Sequence, residues 1–132
     1  HFERELADLV EAEGVAVIPY SPQALGFLTG KFRGMDSVPA NTRGAGNERM
    51  QSYFTEKNFA LLDEMEKIGQ HYGKTLGQVS LAWVLTNPLI TAPIVGARNT
   101  QQLQESIGSA GFRLDNEHMQ QLNQLTEWRD NL

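Results

Sequence analysis

The pattern that most restricts the fold is a pair of short apolar runs, each set between helix-patterned stretches. Val15-Ala16-Val17-Ile18 is continuously apolar, and Ile90 to Val95 reads as a second run of the same kind. A strand covered on both faces has this pattern, because no alternate position has to meet water. Ahead of the first run, Phe2, Leu6, Leu9 and Val10 recur at helical spacing, with Gly14 as a C-terminal stop. Helical patterning returns at Phe59, Leu62, Met65 and Ile68, starting near Thr55 and stopping at Gly73. Thr75 and Gln78 then have the spacing of a capping box. The helix they open, QVSLAWVLTN, is apolar nearly all round, which predicts burial on more than one side, and Asn87-Pro88 ends it. Strands alternating with helices predict an α/β fold with parallel strands. Two parallel strands cannot cover their own edges, so further strands are expected from elsewhere.

Two more helices complete the order. Asn99 is a natural N-cap for a helix over about 100–109. Asp115 caps another, with Leu114 and Met119 at hydrophobic-staple positions and Leu122 and Leu125 continuing the stripe. From about residue 32 to 51 the chain is rich in Gly, Asn, Arg and Ser without periodicity. A loop that long is usually a lid, a binding loop or a disordered segment. The 132 residues suit one domain. The absence of cysteine excludes disulfides and thiolate chemistry. A net charge of −5, with no run of Lys or Arg, argues against a nucleic-acid backbone or an anionic membrane as partner. It leaves room for a single nucleotide, which needs only one or two placed cations. No apolar run approaches the ~18 residues of a membrane span. The acidic first segment has the pattern of neither a signal nor a transit peptide, so the cytoplasm is the expected location.

In α/β folds ligands bind where strands end, so the residues just after each run carry the candidate chemistry. The first is followed by Tyr20-Ser21-Pro22-Gln23-Ala24-Leu25, two glycines and Lys31. Small residues and a proline turn bring backbone N–H groups close to an incoming anion, and Lys31 adds a compact positive charge. A pyrophosphate fits that combination, and so does a purely structural turn. The second run leads through Gly96 to Arg98 and the helix capped by Asn99. A helix N-terminus attracts anions, and the Arg98 guanidinium can grip a phosphate in a fork. Gln102 and Glu105, one turn apart, suit the amino and ring nitrogens of a base. A surface helix with its polar face in water satisfies the same residues.

Three separated motifs then agree with one family. GVAVIPYSPQALGFLTGKF, the helix pair leading into KTLGQVSLAWVL, and ITAPIVGARNTQQLQESIGS resemble the aldo-keto reductase superfamily in its own order and spacing. The bacterial oxidoreductase and potassium-channel beta-subunit branches are the most similar, and the resemblance spans essentially the whole chain. It implies the C-terminal portion of a TIM (β/α)8 barrel, with Val15–Ile18 as the seventh strand and Ile90–Val95 as the eighth. Residues 1–132 are then one partial barrel domain, with the 32–51 loop folding over the cofactor. A complete barrel takes ~250 residues.

The resemblance implies NADPH as cofactor and a carbonyl substrate in the complete enzyme. Tyr20, Ser21, Pro22, Gln23, Ala24 and Leu25 match positions that wrap the pyrophosphate and its ribose, with Tyr20 at a cofactor-stacking position. Lys31 matches a pyrophosphate contact, and Arg43 lies in the covering loop. Gly96, Arg98, Gln102, Glu105 and Ser106 match the adenosine end, with Arg98 beside the 2′-phosphate. Ser106 stands where an asparagine is common and Gln23 where a leucine is. The family's catalytic Asp, Tyr, Lys and His belong to the first half of the barrel, and none of those motifs occurs here. The expectation is therefore the cofactor-binding part of an NADPH-dependent reductase of aldehydes or ketones, without catalytic residues of its own. The rival expectations are a non-catalytic nucleotide-binding or interaction module and an inactive truncated product. Open strand edges further predict that the chain, produced alone, self-associates, pairs with a missing half of the barrel or folds poorly.

The other polar candidates read as surface. His1, His71 and His118 are scattered, with no metal-ligand spacing. Trp83 sits in the apolar helix and reads as core, while Trp128 suits core or surface. Glu3, Glu5, Asp8, Glu11 and Glu13 form one solvated helix face, and Asp63, Glu64 and Glu66 another.

Overall fold

The computed structural model describes residues 2–41 and 44–126. A π-turn at Phe2–Leu6 leads into α1 (Ala7–Glu13), which Gly14 stops in the left-handed conformation at φ 62°. The later helices are α2 (Glu48–Gln51), α3 (Glu56–Tyr72), α4 (Leu76–Thr86), α5 (Thr100–Ile107) and α6 (Asn116–Leu125). Local chemistry sets most of their ends. The side chains of Thr55, Thr75, Asn99 and Asp115 each accept a hydrogen bond from the backbone N–H three residues on. Gln78 completes the capping box by accepting from the Thr75 N–H at 3.1 Å.

The core lies where α3 packs against α4 and α6. Leu61, Leu62, Met65 and Ile68 from α3 meet Leu76, Val79 and Ala82 from α4 and Leu122 from α6. Phe27, Phe32 and Met50 close it from the segment before α3, with Phe27 against Tyr53, Phe54 and Phe59 at 5.8 to 6.0 Å between ring centres. As its all-round apolar pattern predicts, α4 buries Leu76, Gly77, Val79, Ser80, Leu81 and Ala82. Trp83 is half-buried on this core and donates its indole N–H to Asn123 of α6 at 3.0 Å.

The two apolar runs depart from expectation. They lie side by side and parallel: the Thr91 N–H donates to the Val17 carbonyl at 2.9 Å and the Ile94 N–H to the Pro19 carbonyl at 2.8 Å. Among the described residues, however, they form only one isolated parallel bridge, Tyr20 to Ile94, and no continuous ladder. Nor are they buried. Val15, Ile18 and Ile94 are more than half exposed, as are Leu9 of α1 and Ile107 of α5. Neither α1 nor α5 contains a buried residue. The apolar pattern is that of covered strands and helices, yet these side chains stay exposed to solvent in the described chain.

The long loop is partly ordered by local contacts. Its 3-10 turn, Met35–Ser37, follows Arg33, which pairs with Asp63 and Glu66 of α3. Toward its end, Asn47 caps α2 by accepting from the Arg49 and Met50 N–H groups. That short helix was not apparent from the periodicity of the sequence.

Candidate functional site

The segment after the first extended run is a tight double turn, Ala24–Thr29. Three non-glycine residues there occupy the left-handed region: Ser21 at φ 53°, Ala24 at 49° and Leu25 at 59°. Each costs roughly 1–2 kcal/mol against the ordinary backbone, and such strain gathers at functional sites. The turn is held by its own backbone, with the Ala24 N–H donating to the Ser21 carbonyl and the Gly26 and Leu28 N–H groups to the Gln23 carbonyl. Buried Phe27 pins it to the core. Those three N–H groups are therefore engaged within the turn. Lys31 folds back over Gly26: a Cβ on that glycine would stand 2.9 Å from the Lys31 Cε. Its Nζ lies 4.8 Å from the centre of the Phe32 ring.

The second segment is capped rather than open. Asn99 accepts the Gln102 N–H at 2.9 Å, and the Gln102 side-chain oxygen accepts the Arg98 N–H at 2.9 Å. Gln102 therefore closes the start of α5, and an incoming base would have to draw it away. Gly96, Arg98, Gln102 and Glu105 are exposed, and Ser106 is half-buried.

The two segments meet on the N-terminus of α4. Gln23 donates its amide to the Gly77 carbonyl at 3.1 Å and to the Ser80 hydroxyl at 3.4 Å. Glu105 accepts the Thr75 hydroxyl at 2.8 Å. A Cβ on Gly77 would stand 3.2 Å from the Glu105 Oε1 and 3.3 Å from the Gln23 Nε2. The glycine leaves room for both side chains to converge. Gln23, where a leucine is common, thus gains a polar partner in buried Ser80. Glu105 and Gln102 face different partners instead of presenting one joint edge.

Other placements differ in kind. Tyr20 is 74% exposed. Arg43 lies outside the described residues, as do His1 and Trp128. An open cleft of about 270 Å³, lined by Val38, Ala40, Met50, Gln51 and Phe54 among others, touches none of the described candidates. Arg49 was missed in the sequence: its guanidinium donates to the Tyr53 hydroxyl at 2.9 Å, and hydrogen bonding to Tyr20 and then to Tyr53 holds its pKa above the ordinary value. Nothing periodic marks it, since Tyr20 is distant in sequence.

Two histidines are not scattered either. His71 and His118 stand 5.2 Å apart between ring centres, where the end of α3 meets the start of α6. Tyr72 donates its hydroxyl to Asp115 at 2.7 Å and lies 2.9 Å from the His118 Nδ1. No group of three or more metal-ligating side chains occurs among the described residues. No described helix is long and apolar enough to cross a membrane.

The two paired extended segments lead one into a strained turn and the other into a capped helix, beside a helical core. The aldo/keto reductase family model matches residues 1–127, and the chain belongs to that family. It is 33% identical over 123 residues to an uncharacterized oxidoreductase, YrpG, of Bacillus subtilis (strain 168), covering 93% of this chain and 36% of the relative. It is 29% identical to a putative voltage-gated potassium channel subunit beta of Schizosaccharomyces pombe, covering 85% of this chain and 33% of that protein. Among solved structures, a glycerol dehydrogenase of Gluconobacter oxydans matches with a TM-score of 0.78 at 25% identity, over 94% of this chain and 38% of that one. The chain spans about a third of the length of the relatives it matches.

Proposed function

We propose that this chain is the cofactor-binding, C-terminal portion of a TIM-barrel reductase that uses NADPH to reduce aldehydes or ketones. The observation that carries the reading is the meeting of the two strand-end segments at Gly77, where Gln23 from one and Glu105 from the other flank the same helix start. Separate surface turns would have no reason to share it. The donor chemistry fits a phosphorylated dinucleotide: Lys31 and Arg98 are exposed cations, one on each segment, and Tyr20 offers an exposed ring. Lys31 would hold the pyrophosphate as a compact charge, and Arg98 the 2′-phosphate through its fork. When bound, NADPH supplies the hydride that reduces a carbonyl carbon. This chain's part is to bind and orient, because the residues that would move a proton to the substrate oxygen belong to the remainder of the barrel.

Titration of the folded chain with NADPH and NADH, followed by tryptophan fluorescence, tests the reading. Saturable binding that favours NADPH is expected. Arg98→Ala should weaken NADPH by roughly 1–3 kcal/mol, the scale of a charge-assisted hydrogen bond, and leave NADH nearly unchanged. Failure of a folded sample to bind either cofactor would sink the reading. Equal loss for both cofactors would sink the role given to Arg98.

A further inference from the structure

We infer that Thr75, the N-cap of α4, is a positioning residue for Glu105 in reading the base of the nucleotide; the inference rests on the cofactor reading above. Glu105 is exposed, and core packing does not hold its side chain. Ordering a long, rotamer-rich side chain at the moment of binding costs affinity. Here it is ordered beforehand. The Thr75 hydroxyl donates to the Glu105 Oε1 at 2.8 Å. A Cβ on Gly77 would stand 3.2 Å from the same oxygen, so the carboxylate lies close against the first turn of α4.

The donor is itself fixed. The Thr75 side-chain oxygen accepts the Gln78 N–H at 3.2 Å, which leaves its own hydrogen for Glu105. A β-branched side chain is stiff about χ1, and the residues that follow, Leu76 and Gly77, are buried. The other half of the capping box holds the backbone of the glutamate. The Gln78 side chain accepts the Thr75 N–H at 3.1 Å and donates to the Glu105 carbonyl at 3.0 Å. Lys74 adds a bond from its ammonium to the Gly108 carbonyl at 3.1 Å, just past the end of α5. Glu105 is therefore tied to α4 through both its carboxylate and its backbone. The Thr75 bond engages one carboxylate oxygen, and a carboxylate has two. The second can accept from the exocyclic amino group of an adenine, whereas the ring carbonyl of a hypoxanthine would meet it as acceptor against acceptor.

The test compares NADPH with its hypoxanthine analogue on the full chain, by titration followed by tryptophan fluorescence. The wild type should prefer NADPH by about tenfold, the scale of one hydrogen bond to a charged group. Thr75→Asp keeps a capping oxygen for α4 but replaces the donor with a second carboxylate. It should weaken NADPH by about tenfold and leave the analogue within about twofold, so that the preference disappears. Thr75→Ser, which retains the hydroxyl, should retain the preference. An unchanged preference in Thr75→Asp overturns the positioning role. Loss of both affinities by the same factor overturns it too, because Thr75 would then act only as a helix cap. Either result leaves the cofactor reading in place. A folded wild-type chain that binds neither nucleotide removes the cofactor reading and this inference together.

Discussion

The α3–α4–α6 packing and the layer formed by α1, the two extended segments and α5 are made of the same kinds of residue, yet only the first is a core. Leu62 is fully buried, while Leu9 is 56% exposed and Ile107 is 60% exposed. Both helices around them are amphipathic. The difference is what lies opposite: α3 buries its stripe between α4 and α6, whereas α5 meets α4 through polar contacts such as Thr75 to Glu105, and neither α1 nor α5 buries a residue. An apolar stripe records that a helix is meant to be covered, and only the neighbouring elements decide whether it is.

Four measurements would break or sharpen this contrast, the largest effect first. Leu62→Ala should cost about 3 kcal/mol, since it removes fully buried atoms and leaves a cavity. Chemical denaturation would show it, and a loss under 1 kcal/mol would deny that α3 is central. Gly69→Ala comes next. Its new Cβ would stand 2.5 Å from the Lys74 backbone oxygen, a clash no side-chain rotation relieves. About 2 kcal/mol is expected, the scale of overpacking, and an unchanged unfolding midpoint would show that the α3–α4 turn yields easily.

The third prediction concerns acid. The His118 backbone N–H first, and then the Tyr72 hydroxyl, hold the Asp115 carboxyl below its ordinary value of 3.8. Its ionised form is favoured in the folded chain, so its contribution is present above that ordinary value and is lost as pH falls through the folded one. Asp115→Asn, which keeps a capping oxygen, should flatten that part of the stability profile below about pH 4. Unfolding midpoints that fall as steeply in acid as the wild type's would remove the carboxylate from the account. The smallest effect belongs to the outer layer. Leu9→Ala should change stability by no more than ~0.5 kcal/mol in the chain alone. A loss above 1 kcal/mol, measured by the same denaturation, would mean that this face is covered in solution by a second copy.

What was legible in the sequence was whatever is decided within a few residues. Thr75, Asn99 and Asp115 cap their helices as their spacing indicated, and Thr55 caps the helix expected to start near it, because a cap needs only its own side chain and the N–H three positions on. Phe59, Leu62, Met65 and Ile68 also announced their face. Asn47 followed the same rule, but the glycines before it and the brevity of α2 hid it. Contacts between distant segments could not be read. Nothing near His71 foretells His118, nothing near Tyr20 foretells Arg49, and Gln102 gave no sign that it would turn back to the Arg98 N–H. The candidate site was legible as two motifs, whereas their meeting at Gly77 required the fold.

The pairing of the two extended segments has a kinetic consequence. Val17 donates to the Thr91 hydroxyl across 74 positions of chain, and only a few backbone bonds accompany it. Closing so long a loop for so few bonds is slow unless intervening structure has already shortened it. The α3–α4 hairpin does that shortening, so during refolding the Ile94 amide should gain protection from exchange no earlier than the amides around Leu62. The pairing of the two segments should then follow formation of the α3–α4 core, and a ligand bridging them would act chiefly by slowing their opening.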